Sequence, residues 1–217
     1  MLELNTYDPE LLPITPLEQL VAGRPGNRRR NMNAAELRRR AGATFDEHIG
    51  RVGDAQWHLL TPCGDWDVHE LVNHLAAENL WTPALLEGRI VDEVEDRFEG
   101  DVLGDDPKAA WRQALGAAAD AVGNVALDRT VHLSYGDDSA EAYILQLFAG
   151  HLIHGWDLAT AIHADATLDP ALVEAWAAWF DEVEDSYREA GAIGLRPQVA
   201  DSTDPQARLL ARFGRTA

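Results

Sequence analysis

The chain has 217 residues, 46% hydrophobic and 25% charged, which is typical of a globular protein with room for one sizeable domain. Its net charge of −19 argues against a nucleic-acid partner and disfavours binding to an anionic membrane surface. A single cysteine, Cys63, excludes an intramolecular disulfide and a cysteine-rich zinc site.

The first 32 residues contain four prolines and the run Arg28-Arg29-Arg30. We interpret them as an extension outside the main fold, and mobility is one interpretation of it. Within it, residues 15–21 have the pattern of a short helix with Thr15 as its cap. This segment lacks a basic stretch followed by an apolar core, so a secretory signal is not expected. No apolar run in the chain approaches 18 residues, so we expect a cytoplasmic protein without a transmembrane helix.

The next two helices have clear start signals. Apolar residues spaced by threes and fours predict a first helix from Asn33 to about Val52. A connection rich in turn formers follows over residues 56–66. Asp67 as N-cap, with Glu70 three residues later, then predicts a capping box and a second helix to Leu86, with a break expected near Pro83.

The remainder of the chain is also mostly helical by pattern. We expect an acidic loop over 92–107, a helix over 108–125, a strand pair or structured loop near 130–136, and helices over 139–162, 170–189 and 205–213. This succession of helices with short connections predicts a mainly α fold, an antiparallel helical bundle over residues 33–190. Residues 191–217 are expected to form a tail that packs on this bundle.

The helix over 139–162 carries the most informative pattern. One face of it is apolar except for His151 and His154, which lie one turn apart. Buried imidazoles need partners, because an unpaired buried polar group costs roughly 1–3 kcal/mol. A bound metal ion is one such partner, and ordinary hydrogen bonds across the core are the other.

A third histidine faces the core from the second predicted helix. His74 lies between Leu71 and Leu75, so His74, His151 and His154 form a candidate set on two helices. Three neutral imidazoles with an open fourth position suit a catalytic zinc or a similar divalent ion. No His-Glu-x-x-His motif is present, so hydrogen bonding remains an equally good interpretation.

Three further residues are candidate additional ligands or supports for the site. Glu78 lies one turn from His74, and His48 occupies an apolar position of the first helix. Asp157 lies about 60° from the histidine face and is interpreted as orienting a ligand or making a structural hydrogen bond. Cys63 precedes a helix N-terminus, where thiol reactivity is conceivable, although a packed turn residue is the better interpretation.

Several motifs in the chain resemble those of a known family. They are Thr61-Pro62-Cys63-Gly64-Asp65-Trp66, Asn73-His74-Leu75, His154-Gly155-Trp156-Asp157 and the ending Leu209-Leu210-Ala211-Arg212-Phe213-Gly214-Arg215. These resemble the actinobacterial metal-binding proteins related to mycothiol-dependent maleylpyruvate isomerase, in the DinB/YfiT-like superfamily. The resemblance extends from about residue 33 to residue 215.

The resemblance implies a DinB-like four-helix bundle with a small C-terminal extension and a divalent metal, usually zinc or nickel, held by three side chains. His74 matches the first ligand of the family and His154 the last. The middle ligand is usually a carboxylate or histidine four residues before the last, and here that position is Gly150. His151, Glu78 or His48 then remains to take its place, or else the site is degenerate.

The resemblance also implies a chemistry, in which the metal activates the thiolate of a small-molecule cofactor such as mycothiol. The first hypothesis is therefore a metal-binding, thiol-dependent transferase or isomerase, a monomer or homodimer acting on an unidentified substrate. The alternative is a non-catalytic helical bundle with a degenerate metal site that binds a small ligand or a partner. A metal-dependent hydrolase is the third hypothesis.

Overall fold

The computed structural model describes residues 32–64, 66–94, 97–134, 136–189 and 204–215, without the side chains of residues 92, 182 and 185–189. The extension and short helix predicted before Met32 therefore lie outside the described residues. Besides single 3₁₀ turns at Asp54–Gln56 and Val91–Glu93, the described residues form six α-helices and one hairpin: α1 (Ala34–Arg51), α2 (Val68–Leu86), α3 (Pro107–Asn124), β1 (Thr130–Leu133), β2 (Gly136–Ser139), α4 (Ala140–Ala161), α5 (Pro170–Glu189) and α6 (Pro205–Arg212).

Side-chain caps fix the start of each bundle helix. Asn33 and Ser139 accept hydrogen bonds from backbone N–H groups three residues later, at the start of α1 and α4. At the start of α2, Oδ1 of Asp67 accepts from the Glu70 N–H, and Oε2 of Glu70 accepts from the Asp67 N–H, both at 2.9 Å. The predicted capping box is confirmed, and it fixes where α2 begins relative to the preceding connection.

The break that we expected near Pro83 is wrong, because α2 continues through this proline to Leu86. Proline removes one backbone donor, but the N–H of Glu87 still donates to the Pro83 carbonyl at 3.0 Å. Buried residues flank Pro83 on both sides, including Thr82 and Ala84, so tertiary packing holds the helix together at this point. The uninterrupted α2 carries both His74 and Glu78.

Four helices surround the core. α1 packs against α3 and α4, and α2 packs against the same two helices, so the chain has the helical bundle fold that the resemblance implied. α5 and α6 pack on each other beside this bundle. Trp176 stacks on Phe180 with ring centres 4.3 Å apart, and Phe213 at the end of α6 lies 5.3 Å from Phe180.

The region after α3 is a β-hairpin, which confirms the strand-pair alternative for residues 130–136. β1 and β2 pair antiparallel, with Thr130 opposite Ser139 and Leu133 opposite Gly136. Gly136 has φ +130, a conformation that favours glycine at this turn. None of the described helices is both long and apolar enough to span a membrane.

Candidate metal centre

His74 and Glu78 lie on the same face of α2, at the wall of a cavity. Nε2 of His74 is 3.4 Å from Oε1 of Glu78, one helical turn further along. The Trp66 ring packs on the His74 ring with centres 4.7 Å apart, which restricts the rotation of the imidazole. His74 and Glu78 therefore form a pair of metal-type donors on a rigid helix.

Glu78 also lies beside Gly150 of α4. A Cβ built on Gly150 would be 3.6 Å from Oε2 of Glu78 and 3.7 Å from Cδ2 of Leu75, which is ordinary van der Waals contact. The carboxylate of Glu78 thus occupies the space into which a longer side chain at position 150 would extend. A carboxylate is present in this corner, but it comes from α2 instead of α4.

His154 reaches the same region from α4. Its ring centre is 5.9 Å from that of His74 and 6.3 Å from that of Trp66. Nδ1 of His154 is 3.1 Å from Oδ2 of Asp157, so the carboxylate accepts from this nitrogen and orients the ring. The two histidines that match the resemblance therefore face each other across the interface between α2 and α4.

Asp157 is held in turn by Arg215, at the end of the described chain. Nη2 of Arg215 donates to Oδ2 at 2.9 Å and Nε donates to Oδ1 at 3.2 Å, a two-point contact with a fully buried carboxylate. The side chain of Cys63 also makes hydrogen bonds with His154 and Arg215. Asp157, His154, Cys63 and Arg215 form one buried polar cluster behind the cavity.

The surroundings of the three candidate ligands shift their pKa values in different directions. Burial lowers the pKa of His74 to about 3, assisted by the nearby charge of His154, so His74 is a neutral donor. Burial also raises the pKa of Glu78 to about 7. At His154 burial acts against the charged form, but hydrogen bonds to Asp157 and Cys63 outweigh it and raise the pKa to about 9.

The described residues contain one compact group of three metal-type donors, Cys63, His154 and Asp157, whose ligand atoms lie within 4.8 Å of one another. In this group both oxygens of Asp157 already accept from Arg215, a cation that disfavours a second positive charge nearby. His74 and Glu78 lie outside it, so an ion bound by His74, Glu78 and His154 would have to draw them closer together. His154 belongs to both sets.

His151, a predicted ligand, lies in a different environment. Nε2 of His151 is 3.2 Å from the amide nitrogen of Asn79, whose oxygen accepts from the buried guanidinium of Arg38. The amide nitrogen therefore donates and Nε2 accepts, which places the proton of His151 on Nδ1. Burial and the charge of Arg38 hold the pKa of His151 well below its usual value. The lone pair that a metal needs is thus engaged by Asn79.

His48 is also apart from the pair on α2. It is buried in α1, and the charged groups that act on its pKa, beyond burial, are Arg51, Glu47 and Asp165. It is not among the described residues that line the cavity next to His74. Asp157 makes the hydrogen bond to His154 that its expected orienting role requires. Glu78 lies one helical turn from His74 on α2.

The cavity has a volume of about 290 Å³ and opens beside His74 and Glu78. Its walls include the rings of Trp66, Trp81 and Phe98. A small molecule in this cavity would be in direct contact with the pair of donors on α2.

The family comparison agrees with this arrangement. Residues 38–159, more than half of the chain, match the model of the mycothiol maleylpyruvate isomerase N-terminal domain. The chain belongs to this family. The matched range contains His74, Glu78, Gly150 and His154 but ends before Arg215.

Two curated relatives come from Mycobacterium tuberculosis, strains CDC 1551 / Oshkosh and H37Rv, and each is described as an uncharacterized protein. Each is 28% identical to this chain over 187 residues, which cover 85% of the chain and 99% of the relative. The likeness therefore extends beyond the family domain toward the C-terminal region. No solved structure gives a significant match.

Two parts of this region were not found by sequence reasoning. Arg215 was noticed only as part of a family-like ending, and its contact with Asp157 joins residues 58 positions apart. Asn79 was not singled out at all, although it joins Arg38 of α1 to His151 of α4. The available signal was the position of Arg38, which has the helical spacing of the apolar residues Ala34 and Ala41 that α1 buries.

Proposed function

We propose that this protein is a thiol-cofactor-dependent transferase or isomerase with a divalent metal ion, zinc or nickel, held by His74, Glu78 and His154. Two imidazoles and one carboxylate are a common donor set for such ions. Mycothiol, named in the description of the family, is the thiol cofactor that we propose. His151, which Asn79 engages, is left out of the proposed ligand set.

The observation that carries this proposal is the position of Glu78. The resemblance placed a ligand at position 150, where this chain has glycine, and the Glu78 carboxylate lies 3.6 Å from the Cβ that residue 150 lacks. A ligand lost from α4 is replaced by one from α2, so the number of donors is preserved. A site in decay would give no reason for a half-buried carboxylate beside His74 in this corner.

The residues around the proposed ligands have supporting roles. Trp66 packs on the His74 ring, and Asp157 holds Nδ1 of His154, so both imidazoles are kept in fixed orientations. Hydrogen bonds from His154 and Arg215 lower the pKa of Asp157 despite its burial and hold the carboxylate in place. When bound, the metal would stabilise a thiolate over its thiol near neutral pH. The cavity would hold the remainder of the cofactor or its substrate.

Metal content per chain tests the proposal directly. Untagged protein purified without chelators should contain close to one equivalent of zinc or nickel by elemental analysis. The variant His74→Ala should lose it, whereas the control His69→Ala, on the same helix near Asp101, should retain it. Protein with far less than one equivalent and no uptake of added metal would contradict the proposal. Thiol-transfer assays with mycothiol follow from a positive result.

A second candidate is a bundle that binds a small ligand without metal catalysis. It is favoured by the buried cluster, in which His154, Asp157, Cys63 and Arg215 satisfy one another's hydrogen bonds. In that case chelators leave the melting temperature unchanged and Cys63→Ser behaves as a packing variant only. Loss of metal in Cys63→Ser, with metal retained in Glu78→Gln, would instead assign the ion to Cys63 and its neighbours.

A further inference from the structure

The cavity beside His74 has aromatic walls and a fixed shape. Trp66, Trp81 and Phe98 contribute three rings to its lining. Asn73 secures the loop that forms one wall, since its side chain donates to the Gly100 carbonyl and accepts from the Val102 N–H, both at 2.8 Å. The wall therefore does not depend on the ligand for its position, and three aromatic side chains are available to contact an occupant.

The charged groups that line the cavity are all acidic. Glu70 and Glu78 are carboxylates, and no lysine or arginine is among the described lining residues. Arg97 is exposed, and its guanidinium lies 5.5 Å from the centre of the Phe98 ring without joining the lining. An anion that entered this cavity would meet Glu70 and Glu78 and no lysine or arginine among the described lining residues.

The segment that contributes Phe98 and Gly100 to the cavity is itself acidic. Between positions 92 and 106 the sequence has eight aspartates and glutamates and a single basic residue, Arg97. Such a concentration of negative charge attracts cations and repels anions over a distance of about a Debye length. This segment thus disfavours the approach of a negatively charged ligand.

We propose that the cavity binds a cationic nitrogen group, an ammonium or quaternary ammonium, on the substrate of this protein. Aromatic faces attract such cations through their negative quadrupole, and a carboxylate adds a charge partner. This inference rests on the proposed function in taking the occupant to be the second substrate beside the thiol. With the proposed metal ion on Glu78, Glu70 is the carboxylate of the described lining that stays available to the cation.

Calorimetric titration of the isolated protein with three probes tests the inference. The probes are choline, its neutral isostere 3,3-dimethylbutan-1-ol, and maleate. Choline should bind roughly tenfold more tightly than the isostere, because the two differ in charge and hardly in shape. Added salt should weaken choline binding and leave the isostere unaffected. Maleate should bind the most weakly.

Matched variants locate the binding in the cavity. Glu70→Gln removes a charge but preserves the capping box, since glutamine can accept from the Asp67 N–H in the same way. It should weaken choline binding about threefold and leave the isostere unchanged. Trp81→Leu should weaken both. The control Glu36→Gln, at an acidic residue in the first turn of α1 outside the described cavity lining, should change neither.

Equal affinity for choline and the isostere, tighter binding of maleate, or no binding of any probe would each overturn the inference. Metal content measured on the same samples separates it from the proposed function. Choline selectivity in protein that takes up no metal supports the cation site and counts against the thiol-dependent enzyme. One equivalent of metal together with a preference for maleate leaves the enzyme standing and removes the cation site.

Discussion

Glu78 and Gly150 face each other across the interface between α2 and α4, with Oε2 of Glu78 3.6 Å from the position of the missing Cβ. The pair has the form of a compensated substitution, in which one helix supplies a carboxylate that the other lacks. Because the two positions share one space, their effects on metal binding should depend on each other.

An exchange of the carboxylate between the two helices tests this relationship. Glu78→Ala should lower metal affinity at least tenfold, and the double variant Glu78→Ala with Gly150→Glu should recover most of the loss. Gly150→Glu alone should bring little gain, since two carboxylates then compete for one corner. Affinity is measured by competition with a chromogenic chelator, with Glu70→Gln as the control. Additive effects in this cycle would show that the positions do not share the site.

Metal affinity should increase with pH. The pKa of His154 is raised to about 9 and that of Glu78 to about 7, so both groups hold a proton below pH 7 that an incoming ion must displace. Affinity should rise about a hundredfold per pH unit below pH 7 and about tenfold per unit between pH 7 and 9. In Glu78→Gln the rise in affinity below pH 7 should fall to about tenfold per pH unit, because only His154 then loses a proton. A flat profile from pH 6 to 9 would refute the proposed ligand set.

Arg215→Gln should destabilise the fold and disturb His154. Removal of one partner from a buried ion pair costs about 3–5 kcal/mol, because Asp157 keeps its charge without the guanidinium. The pKa of His154 should then rise, since a nearby cation is gone. Arg212→Gln is the matched control, because Arg212 pairs with Glu184 in the same C-terminal segment.

Thermal unfolding measures the stability of both arginine variants, and imidazole NMR titration follows His154. Both variants should unfold at lower temperature, but the histidine titration should move in Arg215→Gln alone. Identical titration curves for the two variants would mean that Arg215 acts as a structural clamp without influence on the site.

The buried network of Arg38, Asn79 and His151 should be important for stability. Arg38 has one described acceptor, the oxygen of Asn79, and its Nε finds no hydrogen-bond partner among the described residues. Asn79→Leu therefore leaves a buried guanidinium unpaired and should cost about 3 kcal/mol in the free energy of unfolding. The double variant Arg38→Met with Asn79→Leu should recover much of this loss, as measured by urea unfolding.

Metal content in these network variants should remain unchanged, which distinguishes the network from the metal centre. A fall in metal content in His151→Gln, with its fold intact, would return His151 to the ligand set that the sequence first suggested. Comparable loss in Asn79→Leu would extend that conclusion to the whole network.

The sequence by itself determined the helices and their starting points, because these depend on residues three or four positions apart. Asn33, Asp67 with Glu70, and Ser139 each bond within one turn, so the caps could be recognised without the fold. The motifs around His74 and His154 likewise predicted the bundle and two of the proposed ligands.

Only the tertiary structure decided which polar groups meet. His151 and His154 are three positions apart, yet a difference of about 60° around the helix axis turns one toward Asn79 and the other toward Asp157. Arg215 reaches Asp157 over 58 positions, and Glu78 fills the space beside Gly150 on another helix. Such contacts depend on how helices dock, and spacing along one chain segment does not encode docking.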